Sequence, residues 1–516
     1  MFPSEESNTS RKPAWITAAA VVCIAAVLLI YARSFAFAWD EGYHLVAAWL
    51  IAHGKQPYID FVFPQTPLNA YWNAILLRVF GVNWRVPHTA ASLLTSCAVA
   101  AIAVWVFRRT QAPPAWRAAS AIAAAVFTGF NTAIVDFHAL QAYALCLVGG
   151  VSSLFLTMSA VDRRSLIRPF AAGLGAGLAA ASSLLTAPAG PILLIWMTVV
   201  NRAGSRIAKA AAFIVGFAIP SIPLLRLLIE SPHNVFFGFV QYQLLYRKVE
   251  WDGAALHNIG EILSWGDSSQ AVLLVLLAAA AILYMRRSDA PQSEITRPIK
   301  AELWLCAVMA VTIGAWLLVA RPTFSRYYLL TVPYLAILAA RGLYEVSIRL
   351  AARPRPAVAA GILCFVLCWG LADTIFGERD DLMWGDIEKV AAKVQSVTPP
   401  EGSLLADEVV YFALNRQPPS GMELQDSHKL NFEGAEAIRL HLVSHPKLDT
   451  MIKAGRFDTI EMCDEDGADG LDLASLYSKS ESAGSCKVFW ARVALPTDFT
   501  HARSVSRDGS PTAPLR

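Results

Sequence analysis

Charge is what this chain of 516 residues has little of. Asp, Glu, Lys and Arg make up 16% of it, whereas a soluble globular domain carries about 25%. Hydrophobic residues reach 55% and the mean hydropathy is +0.45. This balance excludes a disordered chain and argues against a soluble enzyme, leaving a polytopic membrane protein. Metal-ligand spacing is also missing from the eight cysteines. Six of them (Cys23, Cys97, Cys146, Cys306, Cys364, Cys368) fall in apolar runs, where they read as small buried hydrophobes. No internal repeat stands out.

The charge that is present is unevenly placed. Residues 377–516 hold 23 acidic and 15 basic residues, and residues 1–376 hold 17 acidic and 28 basic. The two parts carry −8 and +11 and read as bodies in different environments. Acids are scarcest on one side of the membrane part. A spanning helix needs about 20 apolar residues. Such runs recur at 14–31, 88–107, 117–135, 139–160, 168–185, 187–201, 207–229, 271–285, 302–319, 326–345 and 357–376, which predicts eleven crossings. With the N-terminus inside, the cytoplasmic segments collect eighteen Lys and Arg against five acids, as the positive-inside rule expects. One outside turn breaks the rule, with Arg321 and Arg326 in 320–326. The expected fold is therefore an all-α membrane bundle (residues 14–376, N-terminus in, C-terminus out) followed by a small extracytoplasmic α/β domain (377–495). Polar tails at 1–13 and 496–516 lack the apolar residues a core requires.

Two outside loops are long, 32–87 and 230–270, and loops on a rigid scaffold are where function concentrates. The first opens with Trp39-Asp40-Glu41-Gly42-Tyr43-His44. Paired carboxylates directly after a membrane helix are candidates for general-base chemistry, since ionisable residues held at the bilayer are costly to keep there. The loop continues through Gly54-Lys55-Gln56-Pro57-Tyr58-Ile59-Asp60-Phe61 and Gln65-Thr66-Pro67-Leu68-Asn69-Ala70-Tyr71-Trp72. Its helices, near 41–53 and 68–80, read as amphipathic segments lying at the outer interface. The second loop carries Tyr246-Arg247-Lys248, suited to a phosphate or to anionic headgroups. A third outside turn holds Asp136 and His138. These are too few ligands for a metal site, so they read as acceptor-binding or structural groups. No metal and no cofactor are expected. Cys463 and Cys486 are the two cysteines of the outer domain and are expected to pair in an oxidising space.

In this order, the motifs resemble the first outer loop of the C-type (GT-C) glycosyltransferases. The order is an Asp-Glu pair at the end of helix one, Gly-x-x-Pro-Tyr-x-Asp-Phe, Pro-Leu-x-x-Tyr-Trp, and a short helix ending Phe80-Gly81. The nearest branches are the protein O-mannosyltransferases and the bacterial lipid A aminoarabinose transferases. Arg85-Val86-Pro87 opens the next helix as in that family, and Ser325-Arg326-Tyr327-Tyr328 through Pro333 is similar to its late Arg-Tyr…Pro helix. The chain departs from it at Gln65-Thr66-Pro67-Leu68, where the aminoarabinose branch has a lysine for the lipid phosphate, and at Thr186-Ala187, where a Thr-Lys is usual.

The resemblance implies an inverting transferase in a bacterial inner membrane, acting on its periplasmic face. The donor would be a polyprenyl-phosphate sugar and the acceptor a hydroxyl on a lipid, glycan or protein. Membrane lipids surround the chain and no nucleic-acid partner is implied. Asp40 matches the family's catalytic aspartate, with Glu41 its neighbour. Arg247, Lys248, Arg326 and Tyr327 are candidates for the donor phosphate. His44, Tyr58, Asp60, Gln65, Asp136 and His138 are candidates for positioning the acceptor or the loop. The alternative from another class is a transporter, or a membrane protein that binds lipid or glycan without transfer. A transporter places ionisable residues near the bilayer midplane, and here they gather at the outer surface.

Overall fold

The computed structural model describes residues 11–34, 37, 40–139, 142–246, 254–267, 269–287, 296–320, 322–351, 353–377, 382–463 and 471–493. Trp39, Arg247, Lys248, Arg321, and the ends 1–10 and 494–516, lie outside the described residues.

Helix α1 (Arg11–Ser34) starts inside the segment expected to be a tail, because Pro13 in a first turn removes an N–H that has no helical partner anyway. Helices α2 (Glu41–Ala52) and α3 (Leu68–Phe80) occupy the first long loop. The bundle continues with α4 (Arg85–Arg109), α5 (Pro114–Gly129), the short α6 (Thr132–Phe137), α7 (Tyr143–Ala160), α8 (Ile167–Ser182), α9 (Ala189–Val200), α10 (Arg206–Ala218) and α11 (Ile222–Glu230). Helix α12 (Pro232–Phe236) runs into a π-helical stretch, Phe237–Tyr246. Then come α13 (Ala254–Asp267), α14 (Ser269–Arg287), α15 (Arg297–Val319), a 3-10 segment Ser325–Leu330, α16 (Val332–Leu350) and α17 (Pro356–Gly377).

Among the described residues each of the eleven apolar runs is mainly helical, with 117–135 interrupted at Phe130–Asn131 and 168–185 at Ser183. Among the described residues, seven helices have the length and hydropathy to cross a membrane, α10 and α11 counting as one. Helices α5 and α8 have 16 residues each and α9 has 12. At 1.5 Å per residue these fall short of a hydrocarbon core about 30 Å thick. The Ala-rich α5 is buried along most of its length and packs on α1, α4, α16 and α17. Small residues bring backbones together: a Cβ on Gly173 or Gly177 of α8 would overlap the carbonyls of Phe213 and Phe217 on α10. Large apolar side chains face outward instead, among them Val22, Ile195, Ile214 and Phe365. In water such a surface is a liability; in lipid it is the solvated face.

The outer domain comprises α18 (Trp384–Val397), β1 (Leu404–Leu405), α19 (Glu408–Ala413), α20 (Gly434–Arg439), α21 (His445–Lys453), β2 (Thr459–Met462), α22 (Leu473–Leu476), β3 (Tyr477–Ala483) and β4 (Cys486–Arg492). Its sheet runs β1-β2-β4-β3, with β1 parallel to β2 and the other pairs antiparallel. One apolar cluster joins this domain to the first loop, uniting Leu45, Leu50 and Phe61 with Trp384, Val390 and Val410.

That union corrects one expectation. Helix α2 does not lie at a membrane interface, since His44 to Ile51 are all buried, sandwiched between α3 and α19. The sequence pattern missed this because the covering surface arrives from residues more than 300 positions later. Helix α3 does fit an interface: Ile75, Val79 and Phe80 are exposed while Asn69 and Asn73 point inward.

Candidate active site

The fold separates the two adjacent carboxylates. Asp40 occupies the N-cap of α2 without capping it through its side chain, and that side chain is 41% exposed. Glu41, one residue on, is fully buried. About 100° of helical rotation per residue sends one carboxylate to an open face and the other into the seam below the outer domain. Glu41 Oε2 accepts the indole N–H of Trp384 at 3.0 Å and lies 3.4 Å from His88 Nε2.

Asp40 meets a cation from the far side of the chain. The Arg326 guanidinium donates Nη2–H to Asp40 Oδ2 at 2.5 Å. Arg326 stands in the 3-10 segment before α16, its charge over the rings of Phe324 (4.5 Å), Phe137 (5.4 Å) and Tyr327 (5.9 Å). Aromatic faces stabilise a guanidinium without neutralising it. Helix α13 of the second long loop fixes the approach to this segment. Asn258 donates to the carbonyls of Leu318 and Ala320 and accepts the Thr323 N–H. Glu261 accepts the Ser325 N–H at 2.5 Å, and His257 Nε2 lies 2.9 Å from the Thr323 carbonyl. The segment that carries Arg326 is thus held in place by hydrogen bonds from α13.

The remaining candidates divide between this site and the loop frame. Asp136 accepts the Tyr31 hydroxyl at 3.0 Å, and its neighbour Phe137 lies under Arg326. His138 turns away: fully buried, it meets the carbonyls of Ile134 and Val135 and, through Nε2, the Ser92 hydroxyl at 3.0 Å. His44 is buried one turn after Asp40 and stacks on Tyr43 at 4.2 Å. Burial pushes its imidazole down to about 4, partly offset by the Asp40 carboxylate. His44 is therefore neutral at neutral pH.

Tyr58 is buried, sits at φ 66° and donates its hydroxyl to the Gln65 carbonyl. Its backbone is held at 2.9 Å by Phe61 and at 2.8 Å by Asn234. Burial drives the phenol upward, so it stays protonated. Such a left-handed backbone persists where surroundings over-determine it. Asp60 accepts the Gln56 N–H at 2.7 Å. Tyr58, Asp60 and the Gln65 backbone shape the loop.

In the outer domain Cys463 and Cys486 form the expected disulfide. Glu461 lies beside them, but sulfurs joined to each other supply no thiolate ligands. The sequence reading missed Trp384, His88, His257, Asn258 and Glu261. Trp84 beside Arg85-Val86-Pro87 was a usable signal for an aromatic seam. Nothing local marked Trp384 as its partner, stacked 4.8 Å away.

No family model matches the chain, and no curated protein matches it. Solved structures do. ArnT from Cupriavidus metallidurans, bound to undecaprenyl phosphate, superposes with a TM-score of 0.60 at 14% identity, over 92% of this chain and 98% of that one. Its apo form gives 0.63 at 14% identity, over 92% and 97%. The apo oligosaccharyltransferase of Archaeoglobus fulgidus gives 0.50 at 11% identity, over 86% and 69%. The chain has the GT-C fold. ArnT and the oligosaccharyltransferase are both GT-C membrane glycosyltransferases. The match extends through the outer domain as well as the bundle, and this chain, with seven long apolar helices among its described residues, is an integral membrane protein.

Proposed function

We propose that the protein transfers a sugar from a polyprenyl-phosphate donor to an acceptor hydroxyl, with inversion, at the extracytoplasmic surface of a bacterial inner membrane. The observation that carries this reading is the contact between Asp40 and Arg326 across 286 residues of sequence. It sets a half-exposed carboxylate and an aromatic-lined guanidinium side by side at the start of α2 and just before α16. The ArnT structure bound to undecaprenyl phosphate supports a lipid-phosphate ligand for the same fold.

Each group has one task. Asp40 takes the acceptor hydroxyl's proton as the oxygen attacks the anomeric carbon. The bond from that carbon to the phosphate oxygen breaks, and the departing lipid phosphate carries the electron pair. Arg326 neutralises the charge that develops there, exchanging its contact with Asp40 for phosphate oxygens and so freeing the base. Tyr327, beside it, borders the phosphate position, and Arg247 and Lys248 follow from the sequence as further phosphate contacts. Glu41 is too deeply buried to touch substrate and acts as a support. Asp136 positions the acceptor side through Tyr31 and the turn that carries Phe137.

The test is to incubate the purified protein in lipid with a polyprenyl-phosphate sugar labelled in the sugar. Release of free polyprenyl phosphate together with a labelled acceptor is the expected result. A donor that survives unchanged across sugars and acceptors would refute the reading.

A further inference from the structure

We propose that Trp384, in the outer domain, is a positioning residue for the transfer site: it holds Glu41 and thereby sets where Asp40 points. This rests on the reading of Asp40 as the base.

Asp40 lacks a cap bond within its own helix, so the first turn of α2 must be held from outside. Two contacts do this, and a third holds the other end of the helix. The indole of Trp384, fully buried, donates to Glu41 Oε2 at 3.0 Å. Gly42 packs on α19 so closely that a Cβ there would lie 3.0 Å from the Val409 nitrogen and 3.1 Å from the Glu408 Cβ. At the far end of α2, Trp49 donates to Asn415 at 2.6 Å. The outer domain therefore grips α2 along one side.

The bundle grips Glu41 from the other side. A carbonyl oxygen only accepts, so His88 Nδ1, 2.5 Å from the Ala32 carbonyl, carries a hydrogen. Its Nε2 faces Glu41 Oε2 across 3.4 Å. Ala32 belongs to the last turn of α1, which ends at Ser34. Trp384 also stacks flat on Trp84 at 4.8 Å, and Trp84 donates to Glu388 of α18 at 2.9 Å. Outer domain, α1, α4 and the residue beside the base thus meet at one fully buried carboxylate. An interface that served only to anchor a domain would not need a buried acid, because breaking such a group's contacts costs more than an apolar contact returns.

The test uses the full-length protein in lipid and the variant Trp384→Phe, which keeps the ring and removes the N–H donor. Transfer from a polyprenyl-phosphate sugar is measured beside thermal unfolding. In an Asp40→Cys background, alkylation by a membrane-impermeant maleimide reports position 40 without any transfer. The expected result is kcat lower by about 10–100-fold, the range that small misplacements of a reacting group produce, with an unchanged donor KM and faster alkylation. Glu41→Gln, which can still accept from Trp384, should lose far less than Glu41→Ala. That comparison stands in for Trp384→Phe should the latter not fold. Unchanged alkylation, or Glu41→Gln as inactive as Glu41→Ala, overturns the proposal. Faster alkylation in a protein that performs no transfer keeps the latch and refutes the transferase reading instead.

Discussion

Asp40→Asn tests the proposed mechanism most directly, because it acts on two quantities in opposite directions. The substitution keeps the size of the side chain and removes its charge and its ability to accept a proton. General-base catalysis is worth about 10²–10⁴-fold, or about 2.7–5.4 kcal/mol at 1.36 kcal/mol per decade, so kcat should fall by that factor. Donor binding should behave otherwise. In the free protein the Arg326 guanidinium is bonded to Asp40 at 2.5 Å, and this contact must be given up when phosphate arrives. A hydrogen bond to a charged group contributes about 1.5–3 kcal/mol. Asp40 is 41% exposed, and solvent screening brings the figure toward 1 kcal/mol or less. Asparagine should therefore leave donor affinity unchanged or tighten it by up to about fivefold, since 1.4 kcal/mol is a factor of ten. Donor affinity is measured by titrating a non-transferable polyprenyl phosphate, and kcat by transfer at saturating donor and acceptor. Arg326→Ala should show the reverse, with weakened donor binding at an expression level close to wild type. Near-normal turnover of Asp40→Asn would refute the assignment of the base. Donor affinity that falls with Asp40→Asn would refute the exchange at Arg326.

Three further outcomes are expected. A cysteine introduced within 286–300 should resist an impermeant thiol reagent in intact cells and one introduced in 398–403 should react; the opposite pattern would invert the topology. Reducing Cys463–Cys486, which closes a separation of 23 residues, should cost the outer domain about 3 kcal/mol, read by chemical denaturation with and without a dithiol. The outer domain should also lose stability as pH rises from about 4.5 through 7. Burial raises Glu423 to about 7 from 4.5 and raises the buried Glu461 as well, with Asp407 adding to it. A raised folded value means the contribution is complete below the unfolded value and is lost above the folded one, on the order of 3 kcal/mol for Glu423. Melting curves from pH 5 to 8 should show the decline, and Glu423→Gln should flatten it.

The sequence by itself determined the solvent of this protein and much of its fold. Too few charges, eleven apolar runs and a cationic bias on one side specify a helical membrane bundle, because each is a local property that lipid and surface potential act on directly. The same holds for α18, β2 and β4, whose periodicity is visible over a few residues. Asp40 and Arg326 were each marked by a local anomaly: adjacent acids after a membrane helix, and an arginine on the wrong side. That they touch was not legible, since nothing in a linear pattern ties two residues separated by the whole bundle. Tertiary structure also decided the different surroundings of the two carboxylates in the Asp-Glu pair. Which carboxylate faces solvent depends on the rotation of α2, and that rotation depends on Trp384, Val409 and His88 closing around Glu41 and Gly42. An amphipathic reading of α2 failed for the same reason. Its polar face is covered by a domain arriving at the other end of the chain, and burial by distant residues leaves no trace in the spacing of near ones.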